Sequence, residues 1–338
     1  MDARPSRMVP RISDVAARAG VSVATVSRVL NTPSAVREDK RARVLHAIDE
    51  LGFRPSSLAR GLSVGRTGVI GVIAPFFTRS ATIGARLRGI TDVAVLESYD
   101  VMIFNVETPQ QRTDALLKLA RRDRVDGVVV VSLPLSDAEV DGIRREGLPV
   151  VLLDVAHPRL PHVVIDDVAG GRMATQHLLA RGHERIAFVG DVPEPALGFT
   201  SSQRRREGYR AALDAAGIVP DPELTGLAQH GRESARADAK RLLGLAAPPT
   251  AVFAASDVQA LGVLQAAEDA GRDVPGDLAV IGFDDIEFAE VVGLTTVRQP
   301  LVEISAAGMR LLVDELRDGP HGVAEIVKPL ELVVRRTT

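Results

Sequence analysis

The sequence predicts an α/β protein that carries a small helical domain at its N-terminus. Two observations support this prediction. Three amphipathic segments at helical spacing occupy the first 54 residues, and from Gly68 onward apolar runs of strand length alternate with amphipathic helices. Such alternation is typical of parallel sheets that are covered by helices on both faces. With 338 residues, of which 46% are hydrophobic, the chain is long enough for a small head and one or two ordinary domains.

The first two segments predict a helix, a tight turn and a second helix. The first segment has an apolar stripe formed by Ile12, Val15, Ala16 and Ala19. It ends at Gly20, a residue suited to the left-handed turn that follows a helix. Ser22 is a natural N-cap for the second helix, whose inner face consists of Val26, Val29 and Leu30. This order of elements is that of a DNA-binding helix-turn-helix motif.

The outer face of the second helix is small apart from one long cation. It comprises Val23, Ala24, Ser27 and Arg28. A helix that enters the major groove needs small side chains to approach the bases, and an arginine donates two hydrogen bonds to guanine. We therefore predict DNA contacts along this helix, from Ser22, Val23, Ala24, Thr25, Ser27, Arg28 and Asn31.

A third helix is predicted from about Arg37 to Leu51, with Gly52 as its stop. Its expected buried face consists of Val44, Leu45, Ile48 and Leu51. The first 54 residues thus predict a three-helix bundle. Pro55 then suits the first turn of a further short helix over 55–62, and a polar, glycine-containing linker continues to residue 67.

The charge distribution separates the head from the rest of the chain. Residues 1–66 contain 12 Lys and Arg against 6 Asp and Glu, whereas the remaining residues contain 29 against 38. A basic head on an acidic body indicates that contact with a polyanion is confined to the head. Neutralisation of phosphates by the head would make that contact strongly salt-dependent.

These residues identify the chain as similar to the LacI/GalR family of bacterial transcription regulators. The resemblance rests on Asp14-Val15-Ala16, Gly20-Val21-Ser22 and the stretch from Thr25 to Asn31. It continues in Phe53-Arg54-Pro55 and in the stretch from Leu58 to Leu62. The resemblance implies that the short helix is a hinge that pairs with its twin and inserts Leu62 into the minor groove, with Leu58 beside it. A plain linker that packs on the core is the alternative for both leucines.

The resemblance also implies a two-lobed core like that of type I periplasmic binding proteins. Residues 1–54 would form the helix-turn-helix domain, 55–67 the hinge helix and linker, and 68–338 the core. One lobe would contain about 68–165 and 299–322, and the other 166–298 and 323–338. The strand pattern alone also allows a single large sheet or a barrel.

Ligands of open α/β sheets bind beyond the carboxyl ends of the strands, so polar and aromatic residues that follow predicted strands are candidate effector contacts. These candidates are Phe76, Phe77, Asp154, Ser201, Arg205, Ser256 and Asp284. By resemblance, Arg205 grips the effector, Asp284 accepts hydrogen bonds from it, and Asp154, Ser256 and His230 also line the pocket. An interlobe salt bridge is the alternative for Arg205 and Asp284.

Several residues depart from the family pattern around the pocket. Thr82 and Ile83 stand where relatives commonly have two aromatic residues, and Ser256 stands where Asn is usual. Phe76 and Phe77 lie nearby, and they either replace the aromatic pair or are buried beneath the loop. Arg11 replaces an expected capping Ser or Thr, which leaves the start of the first helix open.

Composition and motif searches argue against other classes of protein. The chain has no cysteine, which excludes disulfides and thiolate chemistry. It has no phosphate-binding glycine loop and no nucleophile elbow, so no enzyme activity, cofactor or metal is expected. The N-terminus lacks an apolar signal segment and no apolar run is long enough to span a membrane. We therefore expect a cytoplasmic protein rather than a sugar carrier for transport.

Taken together, the sequence predicts a DNA-binding regulator that binds a palindromic operator as a homodimer and responds to a small effector in the cleft. The resemblance to the family implies a repressor with a carbohydrate as the favoured effector, and a purine or other metabolite acting as corepressor is the alternative. Residues 333–338 contain no leucine heptad, so a dimer is expected rather than a tetramer. Both release from DNA and recruitment to it are compatible with this design.

Overall fold

The computed structural model describes residues 10–53, 66–119, 124–193, 196–319 and 322–338. The chain divides into two compact units between Thr67 and Gly68. Each unit has its own hydrophobic core. The predicted hinge leucines Leu58 and Leu62 lie outside the described residues.

The N-terminal unit contains helices α1 (Ile12–Ala19), α2 (Val23–Asn31) and α3 (Glu38–Leu51), with a short 3₁₀ turn at Pro33–Ala35. Their shared core consists of Val15, Ala16, Ala19, Val26, Val29, Val44 and Ala47. Gly20 ends α1 with φ 64°, the left-handed conformation that its position after the helix requires. The backbone N–H of Arg11 donates to Oδ2 of Asp14 at 2.7 Å, so an acidic side chain within α1 caps its start.

The prediction that Leu45 belongs to the buried face of α3 is wrong. Leu45 is 48% exposed, whereas Ala47 is buried beside Val44. Helical residues share a face at spacings of three and four, which from Val44 leads to Ala47, Ile48 and Leu51. Leu45 lies one residue, or about 100°, away from that face.

The second unit contains two six-stranded sheets. The strands are β1 (Val69–Pro75), β2 (Asp100–Val106), β3 (Gly127–Val131), β4 (Val150–Leu153), β5 (His162–Val164), β6 (Ile186–Asp191), β7 (Thr225–Ala228), β8 (Ala251–Ala254), β9 (Ala279–Asp284), β10 (Thr295–Arg298), β11 (Glu325–Val327) and β12 (Glu331–Val333). Their order is β11-β5-β4-β3-β1-β2 in the first sheet and β12-β10-β9-β8-β6-β7 in the second. All pairings are parallel except that between β10 and β12. Two α/β lobes with parallel sheets therefore form the core, as the fold prediction states.

Helices connect these strands and cover both sheets. They are α4 (Ile83–Leu96), α5 (Pro109–Leu119), α6 (Asp137–Arg145), α7 (Asp167–Ala180), α8 (Ser201–Ala215), α9 (Arg232–Leu243), α10 (Asp257–Asp269), α11 (Glu287–Val292) and α12 (Leu301–Asp318). Because the central strands are covered on both faces, they are almost entirely buried, as in β3 and β4. Their continuous apolar runs allow these strands to be predicted from the sequence.

The chain crosses between the lobes three times, and the third crossing lies later than predicted. The first two crossings lie after β5 and after β10. Glu325 pairs with His162 of the first sheet, so the chain returns to the second lobe between Val327 and Glu331 rather than at residue 322. β11 has only three residues, of which two are exposed, and so it carries no apolar run that would reveal it in the sequence.

A segment of the second lobe packs into the core of the first. We call residues 196–200, between β6 and α8, the strap. Leu197 of the strap is 3% exposed and belongs to the cluster that contains Ile73 and Leu133 of the first lobe. The ring of Phe199 lies 5.9 Å from that of Phe76. Apolar packing of the strap therefore joins the two lobes beside the predicted effector loop.

Replacing Leu197 with alanine should lower the free energy of unfolding by about 2–5 kcal/mol, because a fully buried leucine leaves a cavity when it is truncated. Urea denaturation followed by circular dichroism would measure the change. The matched control is Val219→Ala, since Val219 is 86% exposed and its truncation should change stability by less than about 0.5 kcal/mol. Equal effects of the two variants would contradict the anchoring role of Leu197.

Candidate functional site

The start of α2 is fixed by the capping predicted from the sequence. Oγ of Ser22 accepts a hydrogen bond from the backbone N–H of Thr25 at 3.3 Å, and the two hydroxyl oxygens lie 3.0 Å apart. The cap satisfies one of the free N–H groups at the helix end. It also holds both predicted DNA contacts, Ser22 and Thr25, in a defined geometry.

The other predicted DNA contacts are distributed along α2. Val23, Ala24 and Arg28 are exposed, while Thr25 and Ser27 are half-buried. Val26 and Val29 are buried in the bundle core, so the helix presents opposite faces to the core and to solvent. Asn31 ends the helix, and its side chain lies outside the described part of the chain. The exposed face of α2 is small apart from Arg28, as a helix that enters a major groove requires.

In the second unit, strained backbone conformations mark the carboxyl ends of the strands. Phe76, Ser132, Asp154, Asp284 and Asp285 adopt positive φ angles, from 49° at Phe76 to 119° at Asp284. Each lies at or just after the end of β1, β3, β4 or β9. Non-glycine residues in this region cost free energy and concentrate at functional sites. The edge where the sequence placed effector contacts is therefore strained in both lobes.

Arg205 is the centre of the second-lobe half of this edge. It is 7% exposed, and its Nε donates to Oδ1 of Asp167 at 2.8 Å. Its Nη1 donates to the backbone oxygen of Ala255 at 2.6 Å and lies 3.6 Å from Oδ1 of Asp284. Its guanidinium also stacks over the ring of Phe283 at 3.6 Å. The structure thus brings Arg205 and Asp284 together within the second lobe, so the interlobe salt bridge considered for this pair is wrong.

Two glycines allow Arg205 to reach Asp167. A Cβ atom at Gly171 of α7 would lie 2.0 Å from the backbone oxygen of Arg205, and one at Gly208 of α8 would lie 2.0 Å from that of Val168. Any larger residue at either position would separate α7 from α8. The sequence analysis missed Asp167, because nothing local shows that the start of α7 faces a residue 38 positions later.

The first-lobe half of the edge is built around Arg86 and Asp154. Nη1 of Arg86 lies 2.8 Å from Oδ1 of Asp154, and Ser132 donates to Oδ2 of the same carboxylate at 2.6 Å. Arg86 is 5% exposed. It was not predicted, although its sequence position gives a signal: it lies on α4 between buried Ile83 and Ile90, where a charge requires a buried partner.

Gln299 connects the two halves. Its Nε2 donates to Oδ1 of Asp284 at 2.5 Å, and its Oε1 accepts from Nη2 of Arg86 at 3.5 Å. Gln299 lies directly after β10, where the chain crosses between the lobes. The buried polar contacts therefore run continuously across the cleft, through Asp154, Arg86, Gln299, Asp284, Arg205 and Asp167. We call this series the cleft chain.

Burial raises the pKa of three carboxyl groups at the cleft side of the second lobe. Desolvation raises the pKa of Asp284 and of Asp167, and the positive charge of Arg205 opposes the shift in both. Desolvation, assisted by the nearby charge of Asp284, also raises the pKa of Asp257 to about 8. Asp257 accepts from the hydroxyl of Thr296 at 2.6 Å and from the backbone N–H of Ile286 at 3.0 Å. It therefore supports the loop that follows Asp284.

Ser256 and His230 each form a hydrogen bond with a side chain of the second lobe. Ser256 caps α10, where its Oγ accepts from the backbone N–H of Gln259 and donates to that residue's side chain at 3.0 Å. Nδ1 of His230 lies 3.2 Å from Oδ1 of Asp191, and this hydrogen bond raises the pKa of His230. The His230 side chain remains 57% exposed.

The remaining candidates lie in the loops above β1 and β6. Phe76 packs against Phe199 and lies 5.1 Å from the guanidinium carbon of Arg79. Phe77 is half-buried, and Ser201 is exposed at the first turn of α8. Ile83, at one of the positions where relatives commonly carry an aromatic residue, belongs to the core.

Within the described ranges, no cluster of three or more His, Asp and Glu side chains could hold a metal ion. The same part of the chain contains no helix that is long and apolar enough to cross a membrane. The cleft chain instead offers buried carboxylates and guanidinium groups, which bind polar groups through charge-assisted hydrogen bonds.

Comparison with known proteins agrees with this architecture. Residues 11–56 match the family model described as bacterial regulatory proteins, lacI family, and residues 175–338 match a periplasmic binding protein-like domain. The chain is 33% identical to catabolite control protein A of Priestia megaterium over 337 residues, which covers 97% of this chain and 98% of the relative.

Two solved structures show the same fold. The lac repressor dimer bound to operator and the anti-inducer ONPF is similar with a TM-score of 0.84 and 26% identity, covering 97% of this chain and 98% of that one. The transcriptional regulator CelR in complex with cellobiose is similar with a TM-score of 0.73 and 30% identity, covering 97% of this chain and all of that one. This chain therefore belongs to the lacI family of bacterial regulatory proteins and is a DNA-binding transcriptional repressor.

Proposed function

We propose that this repressor binds a palindromic operator as a homodimer, and that a small hydroxylated effector in the interlobe cleft controls its affinity for DNA. The cleft chain is the observation that carries the effector proposal. It concentrates buried carboxylate and guanidinium groups from both lobes at the carboxyl ends of the strands. Buried charges are costly unless they are paired, and a ligand rich in hydroxyl groups can replace the internal partners.

The effector would act by changing the relative orientation of the lobes. Arg86 and Asp154 belong to the first lobe, and Asp284 and Arg205 to the second. A ligand that contacts both pairs has different contacts in each lobe arrangement. A ligand shifts the population of lobe arrangements only if it binds one arrangement more tightly than the other. The coupling free energy between two sites linked in this way is typically about 1–3 kcal/mol.

The dimer proposal is supported by an apolar edge on the first lobe. Val95 and Leu96 at the end of α4 are 74% and 80% exposed, and Met102 and Ile103 of the edge strand β2 are 39% and 38% exposed. Exposed apolar side chains on an edge strand and at the end of the preceding helix are typical of protein interaction sites. A twofold copy would cover this edge, and the related lac repressor structure contains a dimer bound to operator. Two copies of α2 would then read two half-sites.

The proposal is tested by a thermal-shift screen of sugars, sugar phosphates and purines, followed by operator binding with each compound that stabilises the protein. A ligand selective for the folded state raises the melting temperature. A neutral sugar such as cellobiose should raise it and also change operator affinity. Stabilisation by purines alone would exclude the carbohydrate proposal, and stabilisation without any change in operator affinity would exclude the control mechanism.

Replacing Arg28 with alanine should relax base preference at one position of each half-site. The lost contact of an arginine with a guanine is worth about 1–3 kcal/mol of discrimination. Operator affinities would be compared for sequences that differ only at that position. The matched control is Arg37→Ala, since Arg37 is exposed in the same unit but precedes α3. A uniform loss of affinity at every sequence would instead identify Arg28 as a phosphate contact.

Replacing Leu62 with alanine should weaken operator binding while effector affinity remains near normal. An apolar wedge unstacks a base step and kinks the duplex, so its removal takes away the kink and the contacts that depend on it. Electrophoretic mobility of operator complexes reports both affinity and bending. Unchanged operator affinity would show that Leu62 is a linker residue.

Replacing Asp284 with asparagine should abolish the effector response and leave operator binding intact. The substitution keeps the shape of the side chain and an acceptor oxygen for Gln299, but it removes the negative charge beside Arg205. Operator binding at increasing concentrations of the hit from the screen measures the response. Asp92→Asn, at an exposed position of α4, is the control. A retained response would remove Asp284 from the pocket.

A further inference from the structure

The strap belongs to a loop of the second lobe whose two ends are tied together. The backbone N–H of Asp191, at the end of β6, donates to Oγ of Ser202, in the first turn of α8, at 2.8 Å. The strap between these ends reaches the first lobe, where Leu197 is buried and Phe199 packs against the same apolar cluster. A loop anchored on one lobe is therefore inserted into the core of the other.

The first lobe holds the strap in a fixed position. We call residues 133–135, which follow β3, the seat; both leucines of the seat belong to the apolar cluster that receives the strap. Nη2 of Arg112 donates to the backbone oxygen of Pro134 at 2.5 Å and to Oε2 of Glu139 at 2.9 Å, which fixes the seat. A Cβ atom at Gly198 of the strap would lie 2.7 Å from Cγ of Pro134. A larger residue at this position would displace the strap from the seat.

The strap lies far from the three chain crossings. The crossings follow β5, β10 and β11, which lie toward one end of the strand order in their sheets. Phe76 follows β1, three strands away from β5, and the strap follows β6, three strands away from β10. Because neighbouring strands are about 4.8 Å apart, the strap lies about 14 Å from the crossings. A rotation of the lobes by about 20° about the crossings would therefore lift the strap by about 5 Å.

We propose that the strap is a latch, which must leave its seat each time the interlobe cleft opens. Opening about the crossings withdraws Leu197 from the first-lobe core and separates the rings of Phe76 and Phe199. The latch thereby sets how often the cleft opens to admit or release an effector. This consequence for the effector rests on the proposed function, whereas the latch itself does not.

Water compensates for the loss of the cleft chain but not for the withdrawal of the strap. When the cleft opens, water replaces the lost partners of Gln299, so the net free-energy cost of each of its hydrogen bonds is small. Withdrawal of Leu197 exposes apolar surface, for which water offers no such replacement. The population of the open form therefore depends on how well the strap fits its seat.

The latch is tested by measuring how often Leu197 is exposed in the full-length chain. The chain has no cysteine, so Leu197→Cys introduces a single thiol whose reaction with Ellman's reagent reports opening. Val219→Cys is the exposed reference, since Val219 is 86% exposed, and Leu152→Cys is a fully buried reference in the same cluster as Leu197. The Leu197→Cys thiol should react at least about tenfold more slowly than the exposed reference and at least about tenfold faster than the buried one, because local opening costs less than unfolding of a lobe.

Urea at low concentration distinguishes opening from unfolding. Unfolding exposes far more surface than opening does, and the sensitivity of a transition to urea increases with the surface that it exposes. Urea should therefore accelerate the reaction of Leu152→Cys much more than that of Leu197→Cys. Equal sensitivities would show that both thiols react through unfolding, which would overturn the latch.

A pair of glycine variants tests the fit of the strap in its seat. Gly198→Ala places a methyl group against Pro134 at a φ of 77°. Gly217→Ala is the matched control, because its φ is 74° but no described residue beyond its chain neighbours lies within 4 Å of its Cβ. Both substitutions strain the backbone, and only the first displaces the strap. In the Leu197→Cys background, Gly198→Ala should raise the reaction rate at least about tenfold, and Gly217→Ala should leave it unchanged.

Three results would overturn the latch. If Leu197→Cys reacts as slowly as Leu152→Cys, the strap leaves its seat only on unfolding. If it reacts as fast as Val219→Cys, the strap is not seated. Equal effects of the two glycine variants would show that the contact with the seat does not control opening. Circular dichroism melting identifies any variant that does not fold, and Phe199→Cys is the second reporter, for which the same effects of the glycine variants are expected.

Ligands separate the latch from the proposed function. Each compound of the thermal-shift screen, beginning with cellobiose and D-ribose, is added to Leu197→Cys. A compound that bridges the lobes should raise the melting temperature and slow the thiol reaction, since it binds the closed form. A compound that raises the melting temperature without slowing the reaction would overturn the link between latch and effector. If the predicted order of rates holds but no compound slows the reaction, the latch stands and the proposed effector function fails.

Discussion

The buried guanidinium of Arg205 imposes the arrangement of the second lobe at the cleft. A charge without solvent must be matched by opposite charge and hydrogen bonds. Three groups supply them: Asp167 at the start of α7, the backbone oxygen of Ala255 after β8, and the carboxylate of Asp284 at the end of β9, where the ring of Phe283 also stacks on the guanidinium. Close packing of α7 against α8 is also needed, because it brings Asp167 within hydrogen-bond distance of Arg205. Pairing one cation thus fixes the relative positions of two helices and two strand ends.

The first lobe meets the same requirement less completely. Arg86 forms an ion pair with the carboxylate of Asp154 at 2.8 Å, but its hydrogen bond to Gln299 is long, at 3.5 Å. Arg205, by contrast, has two short hydrogen bonds and a stacking ring. The second-lobe end of the cleft chain is therefore held by more contacts than the first-lobe end.

The sequence predicted the structural features that depend on residues close together in the chain. The N-cap Ser22, the stop at Gly20 and the long apolar strands are each specified within a few residues. The misses have causes of two kinds. Leu45 was assigned to the wrong face of α3, and β11 is too short and too exposed to form an apolar run, so the third crossing was placed too early. Arg205 and Asp284 were predicted because strand ends and family resemblance marked them, whereas Arg86 and Gln299 acquire their meaning from partners 68 and 213 residues away.

Two kinds of contact join the lobes, and they constrain motion differently. The strap buries Leu197 in the first-lobe core, and apolar packing of this kind is non-directional, so it tolerates rotation better than separation. The cleft chain is directional, because the hydrogen bonds of Gln299 weaken steeply with angle and distance. In the proposed function, the strap and the three chain crossings keep the lobes together while the cleft chain selects their orientation. An effector that replaces contacts of the cleft chain would then change the orientation without separating the lobes, so a ligand of modest size would be enough.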